Sequence, residues 1–346
     1  MKENTILNPR YIWLPVIIGV GVVLFMFFQD FQATTFEDIH FNTRMLVGIL
    51  LAVLFMLCQN IGLMWRFKLM GGKALSWKQA FRVNLLCEFT SAATPSSVGG
   101  SSLIVLYLHK EGIKAGKGTA IMISCLFLDE FFLCLACSVA LLCFPLDVLF
   151  GQVSVFTSGM KILFAVIGTA VAVWTCILYL ALFHRAVWVK KLLLAVFSIP
   201  FLRKWKESIR LVADDLIVSA DEMKRRSFSF WLKCFLVTMW AWCSRYWVVN
   251  ALLFAFAAAG NQFLAFARQL VIWMVMMVSP TPGGSGLGEY MFKEYYSDFL
   301  PTAGVTIIVA LVWRIITYYS YLIGGALLLP YWLNRKKYDY ENGNAS

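Results

Sequence analysis

Few ionisable residues lie inside the apolar stretches of this chain: Asp129, Glu130, Arg245 and Arg314, with Glu289 at the end of a glycine-rich turn. A charge set among apolar side chains costs a few kcal/mol on insertion scales, which makes each a functional candidate by default. The chemistry within their reach is electrostatic. Arg314 and Arg245 can neutralise a phosphate, while Glu289 and Asp129 can set selectivity or exchange protons. The structural alternative is that acids and arginines pair to hold helices together. Asp129 lies about ten residues into its apolar run, on the order of 15 Å at 1.5 Å per residue, near the middle of a bilayer. Glu130 is its neighbour, so the two carboxylates point about 100° apart and cannot both face one partner.

Two Pro/Gly-rich breaks must position these charges: Thr94-Pro95-Ser96-Ser97-Val98-Gly99-Gly100 and Ser279-Pro280-Thr281-Pro282-Gly283-Gly284-Ser285-Gly286-Leu287-Gly288-Glu289. A lipid-exposed break would strand backbone N–H and C=O groups in hydrocarbon, so such breaks survive where protein or trapped water satisfies them. Paired interruptions in the two halves of a chain point to a transporter's binding site. Glycines 283, 284, 286 and 288 allow positive φ and close backbone approach. Leu287 onward can start a half-helix whose N-terminus suits an anion. Glu289 sits in that first turn, either capping its N–H groups or acting as a gating, proton-coupled carboxylate opposite Arg314. Ser101 and Ser102 hold the equivalent place in the first break, where their hydroxyls can cap a half-helix or bind a headgroup oxygen.

With 346 residues, 60% of them hydrophobic, and a mean hydropathy of +0.74, the chain has too little polar surface to cover a soluble globule. The net charge of +11 lies in loops between apolar runs, where positive-inside bias explains it without a nucleic-acid partner. The nine cysteines fall in or beside apolar segments and imply no disulfide framework. Cys134 and Cys137 form a C-x-x-C with no second ligand pair nearby, and His40, His109 and His184 read as loop residues. No metal or other cofactor is expected. Lys2 and Arg10 precede an apolar run that lacks a small-residue cleavage site, and the run reads as a retained first span.

These features give an all-α polytopic membrane protein with about six transmembrane helices: 12–28, 45–65, 119–144, 162–183, 234–259 and 305–333. Segments 77–108 and 264–296 read as re-entrant helical hairpins. Arg66, Lys68, Lys73, Lys78 and Arg82 precede the first break, and Lys110, Lys114 and Lys117 follow it, so both of its flanks are expected in the cytoplasm. The acidic loop 29–44 is expected outside. Segment 184–230 has ten Lys/Arg against five acids and an amphipathic pattern at 203–223, which makes it a linker on the inner leaflet. Arg335, Lys336 and Lys337 return the C-terminus to the cytoplasm, alongside the N-terminus. A single membrane domain then contains a first unit at 45–144 and a second, inverted unit at 231–333. A shift of 187 places Thr94-Pro95 on Thr281-Pro282 and Gly99 on Gly286.

The Thr94-Pro95 to Gly99-Gly100 break followed by Tyr107-Leu108, Asp129 in the next span, the Pro280 to Glu289 motif and Arg314 together resemble the lysylphosphatidylglycerol synthase transmembrane, or flippase-like, family over roughly 45–333. Where that family usually has an arginine beside the span aspartate, this chain has Glu130, and Ser101-Ser102 replaces a charged residue after the first Gly pair. The resemblance implies an inner-membrane protein that moves an aminoacylated phospholipid or a lipid-linked glycan between leaflets. Bifunctional members carry a soluble synthase domain, which is expected to be absent from the short stretch beyond Leu333.

The expected function is a flippase-like transporter of an anionic phospholipid or lipid-linked glycan, not an enzyme, with membrane lipid as its partner. Without a G-x-x-x-x-G-K-[ST] motif, active transport would draw on an ion gradient or a partner protein. Two other classes stay open. One is an ion-coupled transporter of a small soluble anion. The other is an intramembrane enzyme, because Gly286-Leu287-Gly288-Glu289 is faintly similar to the G-x-G-D of intramembrane aspartyl proteases and Asp129 or Glu130 could complete a dyad. A membrane scaffold with no transport activity is a further possibility.

Overall fold

A computed structural model describes residues 41–94, 98–150, 155–184, 186–196, 210, 214, 217–218, 220–256 and 260–334. The expected first span at 12–28, most of the amphipathic stretch at 203–223, Pro95 and the basic residues at 335–337 lie outside them.

The described residues are helical, without strands. In chain order the helices are α1 (Thr43–Gly71), α2 (Trp77–Ala93), α3 (Val98–Lys110), α4 (Ala115–Cys143), α5 (Leu146–Phe150), α6 (Val155–Phe183), α7 (Ala186–Val196), α8 (Phe228–Ala255), α9 (Gln262–Met277), α10 (Leu287–Tyr296) and α11 (Ala303–Arg314). A π-helical turn, Ile315–Tyr319, leads from α11 into α12 (Ser320–Asn334).

Four stretches are long and apolar enough to cross a membrane: Thr43–Ala74, Ala115–Cys143, Gly159–Phe183 and Ala303–Leu333. They answer to four of the six expected spans. Leu46, Leu50, Val53, Leu54, Leu57 and Ile61 are exposed along one side of α1, the surface that a lipid-facing helix presents. The expected span at 234–259 is the long helix α8, but it is not among those four. Its interior carries Thr238, Ser244, Arg245 and Asn250, and all except Arg245 are buried.

Two expectations need correction. Arg66 is not part of a basic loop, because α1 continues to Gly71 and buries it. His109 belongs to the last turn of α3 rather than to a loop.

Each Pro/Gly break separates a pair of short helices, α2 with α3 and α9 with α10. With 17, 13, 16 and 10 residues, the arms reach about 15–25 Å at 1.5 Å per residue. None alone matches the ~30 Å hydrocarbon core. Local sequence starts these helices cleanly. Ser76 and Gln79 form a reciprocal capping box at α2, and Asn261 accepts from Phe263 and Leu264 at α9.

The helices of the two expected units follow one another at similar spacings. The helices of the first unit begin at 43, 77, 98 and 115, and those of the second at 228, 262, 287 and 303. The leading helices α1 and α8 pack along most of their length, and they run antiparallel. Arg44 lies by Phe254, Phe55 by Trp247, Trp65 by Trp240 and Arg66 by Thr238. Helix α2 packs on α12, and α9 packs on α4.

Matching ion pairs hold the base of each hairpin. Arg82 Nε and Nη2 donate to Glu111 at 2.7 and 2.6 Å, and Trp332 Nε1 donates to the same carboxylate at 2.9 Å. In the second unit Arg268 Nη1 donates to Asp298 at 2.7 Å and to the Tyr295 carbonyl at 2.6 Å. Glu111 and Asp298 are related by the same shift of 187.

Small residues let α1 and α8 approach closely, as in membrane helix pairs generally. A Cβ on Gly62 would lie 2.9 Å from the Ala241 Cβ and 3.3 Å from its Cα. Gly62→Val should therefore destabilise the protein by about 1–3 kcal/mol, read as a lowered Tm of detergent-purified material. An unchanged Tm would show that this helix pair is less tightly packed than its geometry implies.

Candidate functional site

The second break is built around Arg314. Gly283, Gly284 and Gly286 have φ of 57°, 68° and 86°, values that L side chains adopt only with strain. The resulting turn aims the Gly283 and Gly284 carbonyls at Arg314, which donates to them at 3.1 and 3.0 Å. Arg314 also pairs with Glu289, Nε to Oε1 at 2.9 Å and Nη2 to Oε2 at 3.2 Å. Glu289 Oε2 accepts from the Gly286 N–H at 2.7 Å. Glu289 thus caps the half-helix and pairs with Arg314 through one carboxylate. The half-helix N-terminus expected to receive an external anion has Glu289 as its ligand.

Gly288 has no room for a side chain, because its Cβ would fall inside the Arg314 guanidinium. Beyond Arg314, the π-helical turn places Thr317 and Tyr318 beside the break, and Tyr318 packs against Gly283. Pro280 is exposed and Pro282 half-buried in the same turn. The two breaks touch where the Gly283 N–H donates to the Thr94 carbonyl at 3.3 Å. Gly99, Gly100, Ser101 and Ser102 form the first turns of α3. The side chains of Ser101 and Ser102 lie outside what is described.

Two adjoining cavities open between the hairpins and the long helices. One, about 70 Å³, is walled by Gly283, Gly284, Arg314, Tyr318 and Tyr321. The other, about 270 Å³, is walled by Arg66, Asn84, Asp129, Glu130 and Trp242. Glu88, Ser91, Arg245, Tyr246, Trp273 and Met277 line both and mark where they meet. Arg245 Nη1 donates to Glu88 at 3.2 Å, with the two side chains 16% and 18% exposed. The guanidinium lies 4.7 Å from the Trp273 ring centroid, a cation–π contact.

In the larger cavity Asp129 holds a bidentate pair with Arg66. Nη2 reaches Oδ2 at 3.0 Å, and Nη1 contacts Oδ1 more closely still. Trp242 Nε1 adds a donor to Asp129 at 2.6 Å. Glu130 points elsewhere, as the 100° offset requires, and its Oε2 is buried without a hydrogen-bond partner.

The expected site residues therefore fall into groups rather than one cluster. Arg314 and Glu289 belong to the second hairpin's tip, Asp129 and Glu130 to the far cavity, and Arg245 to the junction. Glu88 and Arg66, the partners of Arg245 and Asp129, were not among the expected site residues. Arg66 was hidden in a run of flanking Lys and Arg, and Glu88 in a hairpin arm of mixed polarity. The signal available for Arg66 was the uninterrupted helical pattern through 71. Among the described residues no three His, Cys, Asp or Glu side chains gather as a metal site.

Comparison with known proteins agrees with this architecture. A UPF0104 membrane protein of Archaeoglobus fulgidus is 26% identical over 303 residues, covering 84% of this chain and 88% of that protein. The model of the lysylphosphatidylglycerol synthase TM region matches residues 12–325. A match over nearly the whole chain, joined to an all-helical fold with several bilayer-length apolar helices, makes this multi-pass membrane protein a member of the lysylphosphatidylglycerol synthase TM-region family.

Proposed function

We propose that this protein is a flippase-like transporter that carries the headgroup of an anionic phospholipid or lipid-linked glycan between leaflets, while the acyl or prenyl tails stay in the bilayer. The observation that carries the reading is the Arg245–Glu88 pair, a charged pair set where two largely apolar cavities meet. Among the described residues Arg245 makes one hydrogen bond, to Glu88. The remaining N–H groups of its five-donor guanidinium suit a phosphate. Arg314 lines the smaller cavity but is committed to Glu289 and two carbonyls, so its contribution is to hold the hairpin tip in shape.

The location is the cell inner membrane with both termini cytoplasmic, which the distribution of Lys and Arg among loops supports. A transporter is favoured over a carboxylate-dyad enzyme because Asp129 and Glu289 each face their own arginine.

The test is to purify the protein in mild detergent and identify co-purifying lipids by mass spectrometry, comparing wild type with Arg245→Ala. Enrichment of one anionic or polyprenyl-linked species by wild type, lost in the variant, is the expected result. Bulk membrane lipid in unchanged proportions, together with saturable uptake of a soluble anion into proteoliposomes, would replace this reading with a soluble-anion transporter.

A further inference from the structure

Three carboxylates around the cavities, Glu88, Asp129 and Glu289, sit against an arginine each. Glu130 does not. It lines the larger cavity, makes no hydrogen bond among the described residues, and its Oε2 is fully buried. The titratable groups around it are Asp129 and Cys134 on its own helix and Tyr246 on α8. Arg66, Arg245 and Glu88 stand elsewhere on the same cavity wall. The two arginines are engaged by Asp129 and Glu88, while α6 and α9 present the uncharged Trp174 and Trp273.

Glu130 is half-buried, with one oxygen fully enclosed, and ionising such a carboxylate with no counter-charge beside it is costly. A metal cation would need about six oxygen ligands, and among the described residues no three His, Cys, Asp or Glu side chains gather as a metal site. A proton needs one oxygen.

We infer that Glu130 is a proton-binding site coupled to entry of the anionic headgroup; the coupling rests on the transport reading above. With Glu130 ionised, the cavity holds one unmatched negative charge that repels an incoming anion. When a proton from the aqueous phase forms an O–H bond on the carboxylate, that repulsion disappears. Release of the proton after the headgroup leaves restores the starting state, with no change of redox state. By reciprocity, an anion that binds better beside protonated Glu130 must also strengthen proton binding there.

The test uses the full chain in proteoliposomes containing a fluorescent phosphatidylglycerol analogue, with translocation followed at several pH values. Wild type should speed up on acidification by up to about tenfold per pH unit, the limit for one linked proton, and Glu130→Gln should show a rate independent of pH. A flat wild-type profile, a slope retained in Glu130→Gln, or dependence on sodium at fixed pH in place of pH would overturn the proposal. Infrared difference spectra between acid and alkaline buffer read the site without lipid transport. A protonated-carboxyl band present in wild type and missing from Glu130→Gln is expected, and its absence from wild type refutes the proton site outright. The band without any lipid movement would keep the proton site and reject the lipid reading.

Discussion

Arg314→Ala should sharply lower the yield of monodisperse protein and the Tm of what remains. The Arg314 and Glu289 side chains are each 3% exposed, and breaking a buried pair by removing one partner costs about 3–5 kcal/mol. That is a large share of the ~5–15 kcal/mol that typically separates folded from unfolded protein. The loss has three parts: an unmatched Glu289 carboxylate, the guanidinium donors to the Gly283 and Gly284 carbonyls, of which Gly284 keeps the Gly288 N–H, and a hairpin tip without its anchor. Removing the stranded charge as well, in Arg314→Ala/Glu289→Gln, should recover part of the stability. Gly288→Ala should resemble Arg314→Ala, since the added methyl occupies the guanidinium's place. Thermal unfolding of the three variants in one detergent decides the matter. A well-folded Arg314→Ala that fails only in transport would instead place Arg314 in direct contact with substrate.

Arg245→Ala should behave in the opposite way. Glu88, left behind, lines both cavities and is 18% exposed, so water can solvate it and the fold should survive with a smaller fall in Tm than in Arg314→Ala. Transport of an anionic lipid should drop by at least about tenfold, corresponding to ~1.4 kcal/mol of lost charge-assisted binding. Arg245→Lys should retain part of the rate, because the charge remains while the planar fork is lost. Initial rates in proteoliposomes, normalised to inserted protein, provide the comparison. A wild-type rate in Arg245→Ala would remove the junction arginine from the pathway.

The contrast between these arginines shows what sequence can and cannot reveal here. The breaks were legible because Pro and Gly interrupt apolar runs, and the shift of 187 between them was legible as spacing. Arg314 opposite Glu289 was also within reach, since the Gly-rich turn and the last apolar run both had to border one cavity. The partner of Arg245 was not, because choosing Glu88 among the acids requires knowing how α2 lies against α8. Arg66 misled for a physical reason: a cation one residue past an apolar run resembles an interfacial anchor, and only the packing of α1 on α8 shows that it is buried. The span at 234–259 proved more polar than an isolated bilayer helix because its polar side chains turn inward onto α1 and the cavities.

The ion pairs at the hairpin bases, Arg82–Glu111 and Arg268–Asp298, resemble the rivets of two pairs of tongs whose points meet at Gly283 and Thr94. The rivets are charge-assisted, whereas among the described residues the points are joined by one neutral backbone hydrogen bond, worth about 1 kcal/mol net, or less than twice the thermal energy. Arg314 tethers the second point to α11 through Glu289 and the Gly283 and Gly284 carbonyls. The second pair of tongs is thus pinned by charge at its point as well as at its rivet, so Thr94 rests against a braced surface.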